Sequence, residues 1–321
     1  MTRRLGPLTV SDLGLGCMGM STTYGRPDAD AARATLLAAL DEGVTLFDTA
    51  EMYGNGHNER FVGEVLGHRR EEVVLASKTG IRTLPGLGLP IGVDGRPKTV
   101  RAAIDGSLQR LGTDVIDLYY LHRVDPRVPV AETIGAMSEA VQAGKIRHLG
   151  ISEATAADLR SAHATHPLAA LQIEWSLFSR DLESEVISVG RDLGIGLVAY
   201  SPLGRGMLTG APSGTTDLAL VDYRRFLPRW RRRNLAENLR QVGVVQQIAA
   251  ELDATAGQVA LAWVLRQGAD VVPIPGTTKV RHLRSNLGAA ALELTEDQMR
   301  RLDQLRPSGS RYDSGTGVPR A

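Results

Sequence analysis

One cysteine stands in this 321-residue chain, Cys17, so no disulfide can form within it, which points to a reducing compartment or simply to no redox dependence. Lysine is nearly as scarce. The 37 basic residues include only Lys78, Lys98, Lys145 and Lys279, so each of the four invites the question of what it is for. Aromatic residues make up 4% of the chain, which excludes a large aromatic cage as the basis of ligand recognition. Neither charge is in excess, with 36 acidic residues against the basic ones and a net charge of +1, so no overall field recruits nucleic acid or an acidic membrane. The stretch MTRRLGPLTVSDLG is basic but lacks a signal-peptide apolar core, and no run approaches a membrane span. These absences point to a cytoplasmic protein with no nucleic-acid or membrane partner, whose recognition is local.

What is present is an apolar content of 43%, enough to build one large α/β domain across residues 1–321. Arg4 to Val10, with Gly6 and Pro7 between, reads as a short N-terminal hairpin, and LGLGCMGM supplies a first strand ending near Cys17. A helix over 28 to 42 follows, with Asp28 or Asp30 as N-cap and Ala31, Leu36, Leu37 and Leu40 at helical spacing. The unit then repeats. Short apolar runs fall at Val44 to Phe47, Val73 to Ala76, Ile116 to Leu121, Leu149 to Ile151, Leu171 to Ile173, Leu197 to Tyr200 and Val271 to Ile274, making eight strands. Gly43, Gly112, Gly144 and Gly194 close helices ahead of strands. Eight alternating βα units predict an α/β fold of the closed (β/α)₈ TIM-barrel type, with a doubly wound open sheet as the alternative. No linker divides the chain.

Two intervals exceed the rest. Residues 79 to 97 are too rich in glycine and proline for a helix and read as a flap over the barrel mouth. Residues 201 to 270 contain the loop SPLGRGMLTGAPSGTT, the basic stretch PRWRRR, and extra helices at about 236 to 252 and 256 to 267, where Trp263 reads as core. A capped helix at 295 to 305, with a capping box of Thr295 and Gln298, ends in an irregular tail from Pro307.

Chemistry gathers at strand ends. The stretch DTAEMYG sets Asp48 at the end of the second strand and Tyr53 in the loop beyond, while the third and fourth strands deliver Lys78 and His122. A phenol titrates near 10 and is a poor acid at neutrality unless a cation stabilises its anion. Lys78 is placed to be that cation, Asp48 to hold the ammonium charged, and His122 to hydrogen-bond a substrate oxygen without carrying charge. Any one of these residues alone reads as an ordinary structural group; four in order at successive strand ends predict protonation of a carbonyl oxygen.

A carbonyl gaining a proton needs a hydride as well. GLGCMG, residues 14 to 19, matches G-x-G-x-x-G but does not open a helix directly, since Gly25 and Pro27 intervene, so it is not a Rossmann site. The better candidates are AYSPLGRG, 199 to 206, after the seventh strand and IPGTTKVRHLRSN, 274 to 286, after the eighth, because loops there hold phosphates in barrels. Gly204 and Gly206 would let backbone amides approach a pyrophosphate, Lys279, Arg281, His282 and Arg284 would offer charge to a further phosphate, and Tyr200 would stack on a flat ring.

The stretches DTAEMYGNGHNE, SKTG, LYYLHRVD, GKIRHLGISE, LQIEWSLFSR, AYSPLGRGMLTG and IPGTTKVRHLRSN follow one another along the chain. In them the sequence resembles the aldo-keto reductases over almost its whole length, most of all the bacterial and plant branch sharing the GISE and SPLGRG wording. The resemblance implies a barrel binding NADPH across its C-terminal mouth, with no metal, and reducing aldehydes or ketones to alcohols. It implies Tyr53 as proton donor, Asp48 and Lys78 as its tuning pair, and His122 as the substrate-orienting group. Gly19 and Met20 would lie near the nicotinamide ribose, Ser152 and Gln172 would hold the carboxamide, and Tyr200 would stack on the nicotinamide. Ser201, Pro202, Leu203, Gly204, Arg205 and Gly206 would line the pyrophosphate. Gly276, Thr277, Thr278, Lys279, His282 and Asn286 would bind the adenosine 2′-phosphate and adenine.

Two positions depart from that pattern. Glu153 stands where many relatives have asparagine, and a carboxylate accepts but cannot donate. His282 stands where many have arginine, with Arg281 and Arg284 beside it. Candidate substrate-pocket residues are Tyr24, Met52, Arg82, Leu84, Arg123, Phe226 and Trp230, and the run Arg229, Arg231, Arg232, Arg233 reads most simply as a solvated loop. A competing reading of another class is an NADPH-sensing regulatory subunit of the potassium-channel β-subunit type with little turnover.

Overall fold

The computed structural model describes residues 2–21, 27–84, 89–210, 218 and 222–312. Eight parallel strands form one sheet: β3 (Leu15–Gly16), β4 (Leu46–Asp48), β5 (Val74–Thr79), β8 (Ile116–Leu121), β9 (Ile146–Ser152), β10 (Leu168–Glu174), β11 (Gly196–Tyr200) and β12 (Val271–Pro273). Neighbours in the sheet are neighbours in the chain, as a barrel requires. Its two edges meet: the Gly14 amide donates to the Pro273 carbonyl at 3.0 Å, and Gly16 bridges Gly276. A side chain on Gly276 would put Cβ 2.9 Å from the Gly16 carbonyl oxygen, so this seam closes only on glycine.

The helices α1 (Ala29–Asp41), α2 (His57–Leu66), α3 (Pro97–Leu111), α4 (Val130–Gln142), α5 (Ala156–Thr165), α6 (Ser188–Asp192), α7 (Arg232–Glu251), α8 (Ala256–Leu265), α9 (Val280–Leu287) and α10 (Glu296–Asp303) surround the sheet. Asp28 is the N-cap of α1, accepting from the amides of Asp30 and Ala31. Gly43, Gly112, Gly144 and Gly194 all hold positive φ where helices turn back to strands. Thr295 and Gln298 form the expected capping box, and Trp263 is fully buried.

The period-two alternation of a strand sorts residues between two cores. Leu46, Ala76, Leu118, Tyr120, Ala170, Val198 and Val272 point into the barrel. The hairpin β1 (Thr2–Leu5) and β2 (Leu8–Ser11) plugs its N-terminal end with Leu5 and Val10. Gly196 admits this plug, since a Cβ there would lie 2.4 Å from the Leu5 Cα. The alternate residues pack outward against the helices. Two steps beyond Leu46, Ala76, Leu118–Tyr120, Ala170 and Val198, the same inward face carries Asp48, Lys78, His122, Gln172 and Tyr200 at the C-terminal end.

Three sequence expectations change. The flap is a two-stranded antiparallel hairpin, β6 (Ile81–Thr83) and β7 (Pro90–Val93), with residues 85–88 outside the described set. Helix α7 begins at Arg232, about four residues before the expected start, so Arg232 and Arg233 form its first turn; with arginine at the N-cap there is no cap signal to read. The third strand runs on to Thr79, which puts Lys78 inside it. Residues 211–217 of the SPLGRG loop and 313–321 of the tail, with Gly315 and Gly317, lie outside the described residues.

Candidate active site

The short apolar β4 ends at Asp48, and the loop that follows stays tied to the neighbouring strand β5. The Thr49 amide donates to the Ala76 carbonyl at 2.9 Å and the Glu51 amide to the Lys78 carbonyl at 3.1 Å. Asn58, fully buried on α2, staples the neighbouring loops together. It accepts from the Thr49 hydroxyl at 2.6 Å and donates to the Cys17 carbonyl and the Ser21 hydroxyl, both at 2.9 Å. Glu59 beside it accepts from the Ser77 hydroxyl at 2.6 Å and the Arg110 guanidinium at 2.5 Å. Both residues stand in the first turn of α2, but their anchoring role depends on partners far along the chain.

Lys78 is wholly buried, and its ammonium donates to Asp48 in an ion pair, to the Thr49 carbonyl at 2.8 Å and to the Tyr53 hydroxyl at 3.4 Å. The other Asp48 oxygen accepts from the Gln172 amide at 2.8 Å. Burial works against a charge on Lys78, but Asp48 and the Tyr53 phenol outweigh it and raise the ammonium above its ordinary value. Tyr53 moves upward too: burial raises the phenol, and the opposing pull of Lys78 only partly offsets it. His122 meets Tyr53 edge to face, with ring centroids 6.1 Å apart. Burial first, then the charges of Arg123 and Lys78, push its imidazole well below the ordinary range, so it is neutral near pH 7. The four residues expected at one strand-end face therefore meet there. Nearby, the buried Cys17 thiol is pushed up by burial and the Asp48 charge and is no nucleophile.

The inferred cofactor positions ring the same mouth. Gly19 and Met20 lie in a 3₁₀ turn over Met18–Met20 after the first barrel strand. Ser152 and Gln172 end β9 and lie on β10, and Tyr200 ends β11. In the next loop Ser201, Gly204, Arg205 and Gly206 all take positive φ, a tight left-handed turn, while Pro202 is buried and Leu203 half-buried. The amides of Gly204 and Gly206 are spent inside this turn on the carbonyls of Ser201 and Leu203, so the two glycines serve its shape rather than reaching out themselves. After β12, Gly276, Thr277 and Thr278 lead into α9, whose N-cap Lys279 brings no side-chain cap to the opening amides. Lys279, Arg281, His282 and Arg284 are placed there and all four are exposed, with Arg284 engaged with Glu42 at 2.6 Å, and Asn286 is buried. Among the described residues no cluster of three or more His, Cys, Asp or Glu side chains could hold a metal ion.

Of the pocket candidates, Arg123 is buried beside His122, Met52 is half-buried in the Tyr53 loop, and Arg82, Leu84 and Phe226 are exposed. Trp230 is buried under the Arg224 guanidinium at 5.2 Å and belongs to the packing beneath the mouth. Tyr24 lies outside the described residues. Arg229 is not a solvated loop residue: it donates to the Ser179 hydroxyl at 2.8 Å and to the Gly309 carbonyl at 3.2 Å. Arg231, Arg232 and Arg233 are exposed.

Sequence reasoning missed a charged cluster that the tail completes. Glu174 accepts from Arg205 at 3.1 Å and from the Tyr312 hydroxyl at 3.0 Å. Burial resists charge on Glu174, but Arg205, Arg311 and Arg229 hold its carboxyl below the ordinary range. Glu153 accepts from the Glu174 amide at 2.8 Å, and Arg311 pairs with Glu153 and Asp181. No local pattern flags Arg311 or Tyr312, since both sit in a glycine-rich tail between 107 and 158 residues from their partners.

Comparison with known proteins adds to this geometry. The family model described as the Aldo/keto reductase family matches residues 12–307. The chain is 42% identical over 316 residues to a protein named "Probable aldo-keto reductase 1" from Glycine max, with 95% of this chain and 89% of that relative covered. Among solved structures, the glycerol dehydrogenase AKR11B4 from Gluconobacter oxydans aligns with a TM-score of 0.86 at 29% identity, over 94% of each chain. An aldo/keto reductase from Klebsiella pneumoniae, in complex with NADP and acetate, aligns at 0.75 and 28% identity, over 97% of this chain and 98% of that one. Among the described residues no single helix is long and apolar enough to cross a membrane.

Proposed function

Because the chain belongs to the aldo/keto reductase family, and is therefore a nicotinamide-linked oxidoreductase acting on small carbonyl compounds, we propose that it reduces aldehydes or ketones with NADPH, using Tyr53 as the proton donor. The observation that carries this reading is the buried relay Gln172–Asp48–Lys78–Tyr53 facing a neutral His122 at the open end of the barrel.

Bound NADPH would supply the hydride. The chain's own residues do the rest. The Tyr53 hydroxyl faces a carbonyl oxygen and transfers its proton as negative charge develops there. Lys78 stabilises the tyrosinate left behind, and Asp48 keeps the ammonium charged and aimed. A neutral His122 donates a hydrogen bond to the same oxygen and fixes its direction without competing as an acid. Apolar packing below Asp48 keeps bulk water from the barrel interior, where these charges act at low dielectric.

The residues present fit the cofactor. The uncapped N-terminus of α9, with exposed Lys279 and Arg281, offers donors and charge that a 2′-phosphate needs, and the left-handed turn at Ser201–Gly206 would border the pyrophosphate. Gly276, Thr277, Thr278, His282 and Asn286 would complete the adenosine end, and Ser152, Gln172 and Tyr200 the nicotinamide end. Basic residues at the α9 start favour NADPH over NADH. Tyr53→Phe should keep NADPH affinity and lose at least about 100-fold in turnover of an aromatic aldehyde. Turnover at the wild-type rate would remove Tyr53 from the role.

A further inference from the structure

We propose that Arg123 holds the carboxamide oxygen of the nicotinamide, directly through its guanidinium and indirectly by orienting the Ser152 hydroxyl. The proposal rests on the cofactor assignment above and follows from counting donors at the strand ends. A carboxamide presents one acceptor oxygen and one NH₂ group, so the site must supply donors to the oxygen.

The strand-end side chains can supply few. Gln172 spends one N–H of its NH₂ on Asp48 at 2.8 Å and can offer its own oxygen to the carboxamide NH₂. Glu153 and Glu174 only accept, and both are engaged: Glu153 by the Glu174 amide and Arg311, and Glu174 by the Ser179 hydroxyl at 3.0 Å, Arg205 and Tyr312. Gln172 keeps its second N–H as a donor, and Ser152 keeps its hydroxyl proton. The Ser152 oxygen accepts from Arg123 Nη1 at 3.1 Å, so its proton points elsewhere.

Arg123 is a further source. It begins the loop after β8, directly following His122, and is 8% exposed. Nη1 divides its two protons between the His122 carbonyl at 2.6 Å and Ser152, and the Tyr200 phenol already takes a hydrogen bond from the guanidinium, which leaves the other N–H groups of Nε and Nη2 for further acceptors. No carboxylate among the described residues lies within ion-pairing distance of this guanidinium. The Tyr200 phenol and the more distant Glu153 offset the burial of this cation, and a strong acceptor at its remaining N–H groups would add to them. A carbonyl oxygen held between Ser152 and Arg123 is such an acceptor, and it would arrive over Tyr200.

Calorimetric titration separates the ends of the cofactor. Arg123→Met should weaken NADPH binding about tenfold or more, the worth of a hydrogen bond from a charged donor, while leaving adenosine 2′,5′-bisphosphate unchanged. Equal loss of both ligands, or loss of neither, would overturn the assignment. The wild-type protein offers a test that does not depend on the variant folding. Deamido-NADP⁺, which carries a carboxylate in place of the carboxamide, should bind the wild type at least as tightly as NADP⁺, because a guanidinium accepts a carboxylate there. Binding about tenfold weaker or worse would mean that no cation faces that group. If the wild type bound neither NADPH nor NADP⁺, the cofactor assignment would fail first and take this inference with it.

Discussion

Tyr53 in the ligand-free barrel is a weaker acid than a phenol in water, because burial costs its anion more than Lys78 returns. The value of Lys78 is therefore realised when charge moves: a fixed ammonium, held by Asp48 and the Thr49 carbonyl, needs no reorganisation as the proton leaves. His122 illustrates the converse. Its neutral form is enforced by burial and two neighbouring cations, so its folded pKa lies well below the ordinary 6.5. The unfolded chain then takes up that proton first as the pH falls, and the stability tied to neutral His122 is full above about 6.5 and lost towards the folded value. His122→Gln should flatten the fall in urea-unfolding free energy between about pH 7 and pH 5. The less buried His148, His163 and His282, shifted in the same direction, should leave a smaller residual slope. An unchanged slope in the variant would show that His122 is charged in the fold.

Helix α2 links the catalytic loop to the scaffold, since Asn58 and Glu59 on its first turn tie Tyr53's loop to Cys17, Ser21, Ser77 and Arg110. It can lie so close to α3 only because of Gly63, where a Cβ would sit 2.2 Å from the Leu111 carbonyl oxygen. Gly63→Ala should cost about 1–3 kcal/mol by overpacking against rigid backbone, and should lower turnover as the loop shifts. Gly67, at the other end of the helix, has open space for 4 Å around the place a Cβ would take and a helical φ of −58°, so Gly67→Ala should be neutral or slightly stabilising. Thermal unfolding of the two variants side by side checks the contrast.

At the scale of the molecule, the barrel is closed by little: the contact from Gly14 to Pro273 and the bridge from Gly16 to Gly276. The inferred adenosine-binding segment begins at that seam. Gly276→Val should therefore reduce melting temperature and NADPH affinity together, whereas a surface change at Arg233, which is exposed on the first turn of α7, should alter neither. Differential scanning fluorimetry with and without NADPH measures both effects. Closure also decides the electrostatics. The chain carries a net charge of only +1, yet folding collects Arg123, Arg205, Arg229 and Arg311 around Glu153 and Glu174 at one mouth.

Much of this was legible in the sequence by itself. Alternating βα units pointed to a barrel, with an open doubly wound sheet as the alternative, and set Asp48, Lys78 and His122 at successive strand ends, which converge once the sheet closes. Local signals of the same kind marked the Thr295 capping box and the positive-φ glycines. Tertiary structure alone decided what each group titrates like and what is spent on what. Gln172 is tied to Asp48, 124 residues away in the chain, and Tyr312 reaches Glu174 from the tail. Arg123 forms no direct ion pair with a carboxylate among the described residues and is held instead by Tyr200 and the more distant Glu153. Hydrogen-bond partners and desolvation depend on through-space neighbours, and spacing along a chain carries no record of them.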